Sequence, residues 1–235
     1  MNTFQEPEHI TMLRNTLRQF IEKEMPRDKV NQWDKEDYFP RDVFNKLCEL
    51  GVTSLTVPSE YGGSGRDMMA TIATIEELCT RSLGIASGYI FCACYAGLNI
   101  SEVASEEQKQ KYLPEVAKGN LLFSYGISEP DVGADVASVK TKAIRDGDQV
   151  IINGTKRWCS GPNVTDYIYT IVRSGPEEER YRNLSLVLIP TTLDGIIIEP
   201  QETLGQKGVG GTCDVTFNDV RIPFENVIGG EEGWN

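Results

Sequence analysis

The sequence predicts an α+β protein, with an all-α helical bundle over residues 1–120 followed by an antiparallel β-barrel or sandwich over residues 121–235. Apolar residues recur every three or four positions up to Asn120 and every second position after it. That change of period is the change from a helix face to a sheet face. Helical runs and strand runs are also segregated rather than alternating, which is the α+β pattern and not the βαβ one. A length of 235 residues, 40% hydrophobic and 25% charged, suffices for one large domain or two smaller ones.

The helices follow in order. Ile10, Leu13, Leu17 and Ile21 form one stripe, and Pro26 ends it. Val43, Phe44, Leu47 and Leu50 mark a second helix, closed by Gly51 in a left-handed cap. Met69, Ile72, Ile75 and Leu78 mark a third, after the loop PSEYGGSG, whose glycines oppose regular structure. Ser82 to Ile100 is apolar all round and therefore belongs at the centre of the bundle. Its stretch from Ile85 to Ile100 falls short of the roughly 20 residues that span a bilayer, so no membrane span is expected. Ser105 opens a fifth helix through S-E-E-Q, a capping box in which Gln108 reaches back to the Ser105 N–H.

Strands are expected at Leu121–Ser128, Val139–Arg145, Gln149–Ile152, Thr155–Cys159, Tyr167–Arg173, Leu184–Ile189, Ile196–Glu199 and Asp214–Phe217, with Val220–Ile222 after a short break. Asp146-Gly147-Asp148 and Asn153-Gly154 carry hairpin chemistry, so neighbours should pair antiparallel. The charged GPEEERYRN between two strands reads as a solvated excursion, and no internal repeat is present.

Several functions are poorly supported. A net charge of −12, from 23 basic and 35 acidic residues, opposes extended contact with nucleic acid. The single histidine, His9, stands beside no cysteine or acidic cluster, which argues against a zinc site or a Ser-His-Asp triad. Cys92 and Cys94 are two apart on a helix and point to different faces, so a shared metal is not expected, and the six cysteines form no CxxC pair. Neither G-x-G-x-x-G between strand and helix nor G-x-x-x-x-G-K-[ST] occurs. No basic segment followed by an apolar one opens the chain, so a cytoplasmic or organelle-matrix setting is expected.

Two strand ends remain. In YGISEPDVGAD the strand stops at Pro130 and leaves the backbone N–H groups of Asp131 to Ala134 without ladder partners. Water can accept them in an ordinary turn; a glycine-containing loop can equally bring such donors close to a phosphate. In NGTKRWCSG, Trp158 and Ser160 share a strand face, so a ring and a hydroxyl stand side by side. That face suits a flat conjugated ligand, or Trp158 simply fills the core.

Taken in order, these segments resemble the acyl-CoA dehydrogenase family along essentially the whole chain. LCELGVTSLTVPSEYGGSG resembles its helix and Gly-rich loop, and EEQKQKYLPEVAKGN the segment before its β-domain. YGISEPDVGADVASVKTKA is similar to Y-x-V-T-E-P-x-A-G-S-D, INGTKRWCSG to N-G-x-K-x-W-I-T-N, and LGQKGVGGTCDVTFNDVRIPFENVIGGEEGWN to the closing β-domain run. The resemblance implies a flavoprotein oxidoreductase of fatty acid metabolism that binds FAD and oxidises an acyl-CoA thioester between its α and β carbons. A glutamate takes the α proton in that family, and the β hydrogen leaves as hydride to flavin N5.

Carried over by position, Tyr125, Ile127 and Ser128 match residues at the flavin ring, with Ser128 replacing the usual Thr. Gly133 and Ala134 match the pair at the FAD pyrophosphate. Ala134 departs from the family's serine and loses one side-chain donor, worth about 0.5–1.5 kcal/mol. Trp158 matches the tryptophan packed on the flavin, and Ser160 the threonine facing N5; Gly161 departs from the usual Asn. The family continues into a second helical domain of roughly 150 residues, which supplies the catalytic glutamate. No position here matches that base. The resemblance further implies an electron-transferring flavoprotein as partner and a homotetramer for the complete protein. A flavin monooxygenase or nitroalkane oxidase of the same fold, and a non-catalytic scaffold module, are the alternatives; acyl length and the direction of catalysis stay open.

Overall fold

The computed structural model describes residues 6–203 and 210–234. Helix α1 (Glu8–Glu24) buries Ile10, Leu17 and Ile21, the expected stripe. Pro26 ends that run and at once caps a second helix, α2 (Arg27–Lys35), none of whose residues is buried. Its apolar stripe is only Val30 and Trp33, partly buried against the core, too short for periodicity to find. Helix α3 (Arg41–Cys48) buries Val43, Phe44, Leu47 and Cys48, and Gly51 follows with φ of 79°. Helix α4 (Met68–Cys79) starts where the Asp67 carboxylate accepts the Ala70 N–H at 2.9 Å.

The core helix runs from Leu83 to Val103 as α5 (Leu83–Tyr89), a π-helical segment (Ile90–Leu98) and α6 (Asn99–Val103). At 21 residues it is longer than its apolar pattern suggested, and by length and composition alone it could cross a membrane. Its most apolar window is 61% buried against the rest of the chain, the environment of a central helix. Helix α7 (Glu106–Ala117) opens with the expected capping box: Ser105 N–H donates to Gln108 Oε1 at 3.1 Å, and Gln108 N–H to Ser105 Oγ at 3.4 Å.

The sheet comprises β1 (Phe123–Gly126), β2 (Lys142–Asp146), β3 (Gln149–Ser160), β4 (Tyr167–Arg173), β5 (Leu184–Pro190), β6 (Ile196–Pro200) and β7 (Thr212–Pro223). Its order is β1-β4-β2-β3-β7-β6, with β5 on the other edge of β4. The expectation of an antiparallel sheet is corrected here to a mixed one. Strand β1 pairs parallel with β4 from Phe123↔Tyr167 to Gly126↔Thr170, and β2 meets β4 in parallel at Lys142↔Arg173. Those strands are distant in sequence, so no turn residue announces their pairing.

A second correction concerns Asn153-Gly154, which is no hairpin. Strand β3 runs straight through it, while β7 carries the irregularity, with Asn218 and Asp219 facing Asn153. The Asn153 side chain serves that bulge: Nδ2 donates to Asp219 Oδ1 at 2.8 Å, and Oδ1 accepts the Asp219 N–H at 2.9 Å. Gly154 is needed for a different reason, since a Cβ there would lie 2.6 Å from the Thr141 Cα. The two strands expected on either side of residues 218–219 are likewise one, β7.

One hydrophobic core crosses from helices to sheet, joining Leu17, Phe44, Tyr89 and Leu113 to Phe123, Tyr169, Leu188 and Ile228. Gln108 reinforces it. Its Nε2 donates to the Glu225 and Val227 carbonyls at 2.9 and 2.7 Å, and its Oε1 accepts the Gly229 N–H at 3.1 Å. The β-domain has its own second core, which includes Val150, Ile152, Val172, Phe217 and Ile222.

Candidate functional site

Strand β1 delivers its last residues to a loop that is tightly held at both ends. Glu129 and Val132 exchange backbone hydrogen bonds at 2.8 and 3.1 Å, forming a turn around Pro130. Val132 N–H is therefore spoken for, a correction to the run of free donors expected from Asp131 to Ala134. The N–H groups of Asp131, Gly133 and Ala134 have no protein acceptor among the described residues, and all three residues are exposed. A Cβ built on Gly133 meets nothing within 4 Å, so open space lies beside this backbone. At the far end, Arg173 donates from Nε to the Val139 carbonyl at 2.8 Å and from Nη2 to the Ala137 carbonyl at 2.5 Å.

Strand β3 meets this loop at its own irregularity. Between Lys156↔Val215 and Cys159↔Cys213, two residues of β3, Arg157 and Trp158, face the single Asp214 of β7. Trp158 sits at φ of 62°, a left-handed conformation that costs a bulky residue about 1–3 kcal/mol. The bulge turns its ring out to 57% exposure, so Trp158 is not core filling. Arg157 stacks over that ring at 4.9 Å, and its backbone N–H donates to the Ser128 carbonyl at 2.8 Å. Loop and bulge are thereby joined, with Ile127, Ser128 and Ser160 half-buried beside them.

Tyr125 is committed to the helices. Its ring stacks on Tyr95 of the π-helical segment at 3.8 Å and 9°, and its hydroxyl accepts from Asn99 Nδ2, which also donates to the Tyr95 carbonyl at 2.7 Å. Gly161, just past β3, adopts φ of 70° and lies so close to the core helix that a Cβ would fall 2.3 Å from Phe91 Cε2. The departure from Asn at this position thus has a structural partner in Phe91.

Sequence reasoning missed the pair under the loop. Lys156 is fully buried and Glu129 is 6% exposed, and Lys156 Nζ donates to Glu129 Oε1 at 2.8 Å and to the Ile127 carbonyl at 3.2 Å. Glu129 also accepts the N–H of Lys140 at 2.7 Å and of Thr141 at 2.9 Å. Burial pushes the Glu129 carboxyl up, but Lys156 and those two amides outweigh it and hold it below the usual value. Burial also pushes the Lys156 ammonium down, against the pull of Glu129. The Glu129 direction decides the matter: its carboxylate is charged at neutral pH, and an ionised lysine faces it. One signal was present, because Lys156 shares the parity of the inward Val150 and Ile152.

Known proteins show the same architecture. Residues 7–120 match the model of the acyl-CoA dehydrogenase N-terminal domain, and residues 124–220 that of the middle domain. A probable acyl-CoA dehydrogenase of Bacillus subtilis, YngJ, is 30% identical over 219 residues, covering 93% of this chain and 57% of the relative. The short-chain specific mitochondrial acyl-CoA dehydrogenase of Rattus norvegicus is 32% identical over 227 residues, covering 95% of this chain and 54% of the relative. The solved glutaryl-coenzyme A dehydrogenase in complex with glutaryl-CoA superposes with a TM-score of 0.87 at 28% identity, covering 98% of this chain and 59% of that one. The chain therefore spans a little over half the length of these relatives. The part of the closing motif from Leu204 to Val209 lies outside the described residues. The two domain matches, continuous over the helices and the sheet, place the chain in the acyl-CoA dehydrogenase family.

Proposed function

We propose that this chain forms the flavin-binding and acyl-facing part of an FAD-dependent acyl-CoA dehydrogenase. The observation that carries the reading is the union of an exposed donor loop with an outward-turned tryptophan, tied by the 2.8 Å bond from Arg157 N–H to the Ser128 carbonyl. The unspent N–H groups of Gly133 and Ala134, over open space, fit a pyrophosphate that needs backbone donors. The exposed Trp158 ring fits an isoalloxazine, and the Ser128 and Ser160 hydroxyls supply donors to its polar edge. Bound there, FAD would supply the two-electron acceptor for oxidation of an acyl-CoA thioester between its α and β carbons.

The chain's own residues bind, orient and exclude water. Cys94, Tyr95 and Leu98, half-buried on the core helix, form an apolar wall for the acyl chain. Glu129, the buried carboxylate of the loop, is spent on Lys156 and two amides, so it is not free to act as a base. The α-proton base comes, on this reading, from outside these residues. An electron-transferring flavoprotein and further copies of the chain are the partners it implies, and the apolar Met69 and Ile72 on the outer face of α4, 44% and 50% exposed, support a covered surface there.

Flavin titration of the 235-residue chain tests the reading, with Trp158→Ala and Ser160→Ala beside it. Saturable quenching of FAD fluorescence, weakened by both substitutions, is the expected result. Saturable binding indifferent to both would move the flavin elsewhere, and no binding by a folded chain would favour a scaffold module.

A further inference from the structure

We infer that the buried Glu129–Lys156 pair is a positioning device that sets the donor loop against the Trp158 bulge. Three segments meet at Glu129. Its own residue belongs to the loop turn with Val132, its Oε2 accepts the Lys140 N–H, its Oε1 accepts the Thr141 N–H, and Lys156 reaches it from β3. Lys156 also grips the Ile127 carbonyl at 3.2 Å, and its neighbour Arg157 grips the Ser128 carbonyl at 2.8 Å. The end of β1 is thereby clamped to β3 just before the bulge that turns Trp158 outward.

A stability role alone would not select this arrangement. Well-packed apolar side chains often stabilise a core as well as a buried ion pair does, whereas removing one partner of such a pair is strongly destabilising. What apolar side chains cannot do is accept two backbone N–H groups and a lysine ammonium at one point. Directional bonds fix where the peptide units of residues 127–132 lie, and so fix the aim of the Gly133 and Ala134 donors that follow. A small cleft of about 170 Å3, lined by Glu129, Asp131, Lys140, Thr141 and Thr155, lies against the loop. The Thr141 hydroxyl is buried there without a hydrogen-bond partner, so it adds no directional bond to hold the loop from that side. Arg173 anchors only the other end, at Ala137 and Val139.

The inference rests on the flavin reading for its ligand, and its test separates the two. Glu129→Met/Lys156→Met replaces the pair by apolar side chains of similar length in the 235-residue chain. We expect a cooperatively folding protein in which the hydrogen-bonded amides of the junction, Val132, Lys140, Thr141 and Arg157, exchange with deuterium at least tenfold faster. The amides of β5 and β7 should be unchanged, and FAD affinity should fall at least tenfold. Loop exchange and FAD affinity both within twofold of the parent would overturn the inference, leaving the pair as core filling. A parent that binds no FAD would sink the flavin reading, and the exchange data would still decide the positioning role. Should the double variant fail to fold, Glu129→Gln decides, since its amide nitrogen faces the Lys140 N–H and should raise exchange there first. Unchanged exchange at Lys140 in that variant would also overturn the inference.

Discussion

Gly161→Ala isolates the contact that seats the end of β3 on the core helix. Gly161 stands at φ of 70°, its N–H donates to the Gly211 carbonyl at 2.8 Å, and its carbonyl accepts the N–H groups of Val164 and Thr165 at 3.0 and 3.1 Å. A new Cβ would meet Phe91 Cε2 at 2.3 Å and Cζ at 2.7 Å, and that ring is 2% exposed and packed on Tyr95. The left-handed backbone costs an L-residue about 1–2 kcal/mol. Forcing a methyl into a packed core adds roughly 1–3 kcal/mol. Their sum, about 2–5 kcal/mol, lowers the melting temperature of a chain this size by on the order of 10 °C.

Urea unfolding of the four species of a double-mutant cycle with Phe91→Ala is the assay. Phe91→Ala alone costs about 3–5 kcal/mol through its cavity. In that background the steric part of Gly161→Ala vanishes, so the coupling should be about 1–3 kcal/mol. Gly161→Asn should relieve some backbone strain while keeping the clash, since Asn tolerates the left-handed region. A Gly161→Ala cost below about 0.5 kcal/mol, or equal costs in both backgrounds, would refute the steric reasoning.

Gln108→Leu should cost about 2–4 kcal/mol in urea unfolding, because it leaves the Glu225 carbonyl and the Gly229 N–H without their partner at the helix–sheet junction; a loss under about 1 kcal/mol would mean that water takes over these bonds. Glu77, 5% exposed, is bonded by Arg18 and Arg14, and the Arg18 hydrogen bonds chiefly hold its carboxyl below the ordinary 4.5. A lowered folded-state value gives stability that is fully present above 4.5 and lost as pH falls through the folded value. Stability measured from pH 6 to about pH 3 should therefore drop, and Glu77→Gln should flatten that drop; an unaltered slope would assign it to other carboxylates.

Local rules were readable where one element satisfies them by itself. The stripe of Ile10, Leu17 and Ile21, the change of period after Asn120 and the Ser105–Gln108 box each concern neighbours in sequence, and each appears in the structure as expected. Helix α2 escaped because Val30 and Trp33, partly buried against the core, are its only apolar residues, and the parallel pairing of β1 with β4 escaped because its partners lie more than forty residues apart. Four departures from local rules lie close together, on one strand and its immediate end. Asn153-Gly154 carries turn chemistry inside β3, Lys156 is a charge in the core, Trp158 holds a left-handed backbone with its ring in solvent, and Gly161 yields its side-chain space to Phe91.

Each of these violates a local preference, and such violations concentrate where function rather than stability sets the sequence. Their convergence beside the unspent donors of Gly133 and Ala134 has a single economical cause. Strand β3 is shaped to turn an aromatic face outward next to a loop that has been left with hydrogen bonds to give. On the proposed reading, that outward aromatic face and those donors are where the flavin lies.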